Sequence, residues 1–219
     1  MELKIVTVAS MAALLLVACG PTPEEQAAAR EKAVADSLAA LASMEMSYTV
    51  DPAASTVAWE GTMLGIKSHT GNLNFIDGTL ITKGPGLTGG TFTVDMKNYA
   101  MTDTNYAPDG AEKGTRAMLM GHLSSPDFFD VASFPTATLK ITGVNGTSAT
   151  ADLTLRGKTN SETITDIVVT TNADGSVKAS GKLAFDRQKY GVAWSSGSKD
   201  AVLNDNIETT VEITAKAAM

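Results

Sequence analysis

The chain has 219 residues, 43% of them apolar and only 5% aromatic, with 19 glycines, which suits one large many-turned β-domain plus a tail. Asp and Glu (24) outnumber Lys and Arg (17), and the net charge of −7 argues against a nucleic-acid partner and against adsorption onto anionic headgroups by charge alone. With one cysteine, Cys19, no intramolecular disulfide is open to it.

Met1 to Lys4 lead into a nearly unbroken apolar run from Ile5 to Ala18. A short apolar stretch before small residues reads as a secretory signal, here over 1–18. Beyond it, no segment approaches the ~18 consecutive apolar residues of a spanning helix. Leu16-Val17-Ala18-Cys19 resembles a bacterial lipobox, in which the cysteine is lipidated and becomes the mature N-terminus. One acyl chain binds a membrane only marginally, and a second, such as palmitate, makes the anchor stable. Gly20, where an Asp would mark inner-membrane retention, points to the periplasm-facing side of the outer membrane, or to the free periplasm if Cys19 is not lipidated. Residues 19–47 then form a tether. Pro21 and Pro23 open a stretch dense in Ala, Glu, Lys and Arg, with Val34, Leu38 and Leu41 at helical spacing. So short a stripe predicts a solvated, partly helical spacer.

From Tyr48 the period changes to two. Val57 and Trp59 alternate with polar residues, as do Leu73 and Phe75, then Phe92, Val94 and Met96. Further on come Ala137, Leu139 and Ile141; Ala151, Leu153 and Leu155; Val177 to Phe185; and Ile207 to Ile213. Such runs read as antiparallel strands with one apolar face. Asn145-Gly146 is a two-residue hairpin signal, and Asp77-Gly78 and Asp174-Gly175 are looser turn signals. At least eight strands without recurring helices predict an all-β domain over 48–219, a sandwich or a barrel. Closure removes the edges an open sheet must protect, and an eight-stranded barrel is wide enough for one small ligand.

The long connection from Lys97 to Pro135 predicts function or hidden structure. Lys113 to Leu123 can form a short helix with Met118 and Leu119 inward. Asp103, Asn105 and Asp109 have a superficial calcium-loop look, but Ala107 and Gly114 stand where ligands are needed. His122 to Pro135 carries Phe128, Phe129 and Phe134 in a segment without strand alternation. A loop so rich in aromatics must fold onto something apolar, and the mouth of the β-structure is the natural target. His122 is expected to anchor it through a hydrogen bond. No Gly-x-Ser-x-Gly, His-Glu-x-x-His or Cys/His cluster is present, so no catalytic motif is identified and no metal site is assigned.

Taken in order, these landmarks resemble the YceI-like family: Tyr48-Thr-Val-Asp-Pro52 before Ser55 to Trp59, Ser68-His69-Thr70-Gly71, Gly89 to Met96, Gly121-His122-Leu123 with Asp127 to Asp130 and Phe134-Pro135, Leu153 to Gly157, and Phe185 to Gly191. The resemblance implies a closed antiparallel lipocalin-like barrel of about eight strands with a short helix in the central connection. It also implies a carrier for a polyisoprenoid, quinone or fatty-acyl ligand, without a catalytic cofactor. The residues expected to touch that ligand are Trp59, His69, Phe75, Met96, Met118, Phe128, Phe129, Leu153, Leu155, Phe185, Arg187 and Tyr190. His69 and Arg187, beside strand ends, are expected to meet its polar head, with a salt bridge to Asp186 or a neighbouring carboxylate as the equal alternative for Arg187. Two alternatives stay open: a structural lipoprotein with a filled barrel, and a metal-dependent enzyme using His69 and His122. A homodimer is compatible with each.

Overall fold

The computed structural model describes residues 21–64, 67–98, 100–195, 197 and 202–218. The expected signal (1–18), Cys19 and the side chain of Leu41 lie outside the described residues. The chain divides into two compact units, Met1–Leu41 and Ala42–Met219.

The described part of the first unit is helical, within α1 (Pro23–Ser43). Its start is a reciprocal cap. The Glu25 N–H donates to the Thr22 hydroxyl oxygen at 3.2 Å, and the Thr22 N–H donates to the Glu25 carboxylate at 2.7 Å. Pro23 takes the first helical position, where its missing N–H is no loss. Val34 and Leu38 stay exposed, as a spacer's narrow stripe predicts. Among the described residues no helix is long and apolar enough to cross a membrane.

The second unit is the barrel. Its strands are β1 (Glu45–Val50), β2 (Thr56–Leu64), β3 (Lys67–Lys83), β4 (Gly86–Asp95), β5 (Ala100–Met101), β6 (Thr136–Asn145), β7 (Ser148–Leu155), β8 (Lys158–Thr171), β9 (Val177–Asp186), β10 (Val202–Leu203) and β11 (Asn206–Ala217). Eight of them close in the order β2-β3-β4-β6-β7-β8-β9-β11, and β11 returns to β2 through the registers Glu208↔Glu60 to Glu212↔Thr56. All these neighbours are antiparallel. β1 occupies the same slot as β2, lower down: it too pairs with β3 and β11. A 3₁₀ turn at Pro52–Ala54 separates the two. Ser55 binds this kink to the seam, its hydroxyl donating to the Thr214 carbonyl at 3.2 Å and accepting from the Thr214 N–H at 3.0 Å.

Three local expectations are corrected. Asp77-Gly78 is no turn but lies inside β3, just past a bulge at Ile76 that shifts the inward phase from Leu73 and Phe75 to Leu80. Gly78 is there because a Cβ would come within 2.8 Å of Val50 and 2.9 Å of Phe92. At the β6–β7 hairpin, Asn145 is the paired residue opposite Ser148, and Gly146, at φ +59°, supplies the first loop position. The helix is shorter than expected: α2 spans Arg116–Ser124, begun by Thr115, whose hydroxyl accepts the Met118 N–H at 3.2 Å.

Candidate functional site

The barrel encloses a cavity of about 290 Å³. Its walls draw on three apolar clusters in succession. One lies at the β1 end around Leu80, Phe92 and Ile213; a second, central, lies around Met96, Leu153 and Phe185; the third, beside α2, lies around Leu123 and Phe128. On β11 alone the lining runs from Ile207 to Ile213, about 20 Å of strand at ~3.3 Å per residue. A cavity whose lining runs over that length is an elongated tube.

Alternation on the strands makes the tube largely apolar. Phe92 and Val94 of β4, Leu153 and Leu155 of β7, and Leu183 and Phe185 of β9 all turn inward. Of the twelve expected contact residues, Trp59, His69, Phe75, Met96, Phe128, Phe129, Leu153, Leu155 and Phe185 line the cavity. The central segment closes over it through Phe128 and Phe129, while Phe134 packs on Gly157, where a Cβ would approach its ring to 2.7 Å.

Three expected residues do not reach the cavity. Met118 is 49% exposed: α2 turns Leu119, His122 and Leu123 to the cavity, and at 3.6 residues per turn Met118 sits roughly a quarter-turn off that face. Arg187 is only 3% exposed, but its guanidinium turns back into the loop after β9. It donates to the carbonyls of Val192 (2.6 Å), Trp194 (3.1 Å) and Asn204 (3.3 Å) and to the Asp205 carboxylate (2.9 Å). With every arm engaged it is a loop tie, not a head-group contact. Tyr190 is fully buried and its hydroxyl donates to Glu162 at 2.8 Å. Burial and that bond push its phenol above the usual range.

His122 is also corrected. Its Nε2 is buried without a hydrogen-bond partner among the described residues, and its ring stands edge-on to Phe128 (5.1 Å) and Trp194 (4.9 Å). It is aromatic wall. The anchoring falls to Arg156, at φ +50° in the β7–β8 turn, whose guanidinium donates to the carbonyls of Pro126 and Gly191. Trp59 Nε1 is likewise buried and unpartnered. The indole lies over its cross-strand neighbour Gly71, where a Cβ would sit 2.7 Å from the ring.

One polar feature of the cavity wall is at His69. Its Nδ1 lies 3.2 Å from Asp103, which also accepts from the Tyr106 hydroxyl (2.7 Å), the Thr70 N–H (3.0 Å) and the Asn105 N–H (3.0 Å). Burial raises the Asp103 carboxyl, but the bonds from Tyr106, Thr70, Asn105 and His69 outweigh it and hold the group well below the usual carboxylate range. Tyr106 stacks on the His69 ring at 5.0 Å, and the Arg116 guanidinium covers the Tyr106 ring at 5.1 Å. The Asp103–Asn105 spacing was visible in the sequence, but only as a failed calcium loop; nothing local tied it to His69, 34 residues earlier. Among the described residues no three of His, Cys, Asp or Glu come together as a metal site.

A closed antiparallel barrel around an apolar tube defines a lipocalin-like protein. Residues 48–218 match the YceI-like domain, and the chain belongs to that family. Two solved structures share the fold. Burkholderia cenocepacia BcnA has a TM-score of 0.61 at 18% identity, over 76% of this chain and 99% of its own. A polyisoprenoid-binding domain from Saccharophagus degradans, implicated in plant cell wall breakdown, has a TM-score of 0.53 at 13% identity, over 79% and 99%. No curated protein matches the chain.

Proposed function

We propose that this protein is a carrier, and not a catalyst, for a polyisoprenoid or other long-chain amphiphile such as a quinone or lipid. It is exported, lipidated at Cys19 and held at the outer membrane facing the periplasm. The observation that carries the reading is the tube itself, walled by Leu, Ile, Val, Phe and Met side chains through all three clusters. Burial of alkyl surface contributes roughly 25 cal/mol per Å² before ordering costs, so such a wall holds a chain with little help from its head. The Saccharophagus domain, described as polyisoprenoid-binding, supports the same ligand class. The lipobox-like Leu16 to Cys19 and the helical spacer α1 support an anchored form.

Native mass spectrometry with lipid extraction, on protein exported in its own host, tests this directly. A stoichiometric prenyl or acyl compound is expected. A clean apo mass, with no thermal stabilisation by added prenyl lipids or quinones, would sink the carrier reading in favour of a filled barrel.

A further inference from the structure

Most polar atoms at the cavity wall are covered or committed. Trp59 Nε1 and His122 Nε2 are covered by packed neighbours, and the Thr209 hydroxyl donates to the Leu183 carbonyl at 2.9 Å. His69 differs. Its cross-strand partner is Gly61, which has no side chain to cover the imidazole. The ring is fixed on one side by Tyr106 and at Nδ1 by Asp103. An ionised carboxylate only accepts hydrogen bonds, so the Nδ1–H donates to it. In a neutral imidazole that bond fixes the tautomer and leaves Nε2 with a bare lone pair. Nε2 has no partner among the described residues, on a residue that lines the tube.

We propose that His69 Nε2 is the head-group site, and that it selects long-chain amphiphiles whose head donates a hydrogen bond, an alcohol or phenol hydroxyl, over heads that only accept one. The proposal rests on the carrier reading above and adds the head chemistry to it. A quinol can donate to this site and the corresponding quinone binds without that hydrogen bond, because a carbonyl facing an imidazole lone pair gains none. Asp103 is the positioning residue. The other charged groups around the cluster are already engaged: Arg116 donates to the Asp103 backbone carbonyl at 3.3 Å, and Lys67 donates to the Asn105 carbonyl at 3.2 Å.

Trp59 and Trp194 both line the cavity and are the chain's two tryptophans, so their emission reports binding. Delipidated full-length protein is titrated with geranylgeraniol, its methyl ether and geranylgeranyl phosphate at pH 8. The alcohol is expected to bind roughly five- to tenfold more tightly than the ether, the worth of one hydrogen bond. His69→Phe keeps a ring in the wall, so the ratio of alcohol to ether affinity should fall to about one, and a thermal melt like that of the unaltered protein shows that the variant is folded. Asp103→Asn can offer an amide N–H to Nδ1 and shift the ring proton to Nε2. It should lose the preference too. Equal binding of alcohol and ether to the unaltered protein, or tighter binding of the phosphate, overturns the head-group assignment and leaves the carrier reading standing. Failure of all three to bind overturns both.

Discussion

At the scale of single residues, the cavity wall and the loop ties answer to different physics. Trp59 and Phe129 face the tube, so a carboxylate at either position places a charge where a chain must lie. Trp59→Asp and Phe129→Asp should each cut co-purified lipid at least tenfold, measured by extraction against protein, and by more than His69→Ala does. Arg187 works elsewhere. Arg187→Met strands the Val192, Trp194 and Asn204 carbonyls it now satisfies, a loss of roughly 2–3 kcal/mol, read as a lower denaturant midpoint. Arg187→Lys should not restore it, because one ammonium cannot span the fork of acceptors that a guanidinium reaches. In the sequence Arg187 and His69 looked alike, each a polar residue beside a strand end. What separates them is where their partners fall. The Arg187 acceptors lie within eighteen residues along the chain, whereas His69 depends on a carboxylate 34 residues away.

At the scale of elements, alternation was legible wherever a strand kept its phase. Phe92 and Val94 on β4, Met96 just past its end, and Ile207 to Ile213 on β11 point inward as their spacing predicts. It failed at bulges. β8 breaks between Thr165 and Val168, with Asp166 at φ +55°, so its inward residues Ile164 and Ile167 are three apart and gave no signal of period two. The loop after β5 hid its role for another reason: Asp103 gains meaning only when β5 pairs with β3, Met101 opposite Gly71. That loop has a pH signature. Because folding holds the Asp103 carboxyl below its unfolded value, its contribution to stability is complete above about pH 4, the usual carboxylate value. It is lost as pH falls further toward the folded value. Between pH 5 and pH 3 the native protein should therefore lose stability, and Asp103→Asn should lose less over the same interval, as compared by thermal melts at each pH.

At the scale of the whole molecule, the sequence landmarks fell in family order from Tyr48 to Gly191 and the matched domain runs over 48–218, so the closed barrel of eight strands was legible. The proposed anchor is a separate matter of chemistry at one thiol. Cys19→Ser should move the protein from the membrane fraction to the soluble one, as fractionation and blotting will show, without changing the lipid held by the barrel. Persistence of the variant in the membrane fraction would count against lipidation as the anchor.

The shared slot of β1 and β2 makes closure of the barrel a long-range event. Both strands can pair with β3 as soon as it exists, but their other edge waits for β11, and the Ser55–Thr214 link spans 159 residues. Closing so long a loop is slow relative to forming hairpins. Without β11 the barrel would be a curved trough with an open side and an accessible apolar face. A chain-like guest lying in such a trough would be wrapped by the arriving strand and would not need to thread through a finished mouth. Loading and the last step of folding can thus be one event.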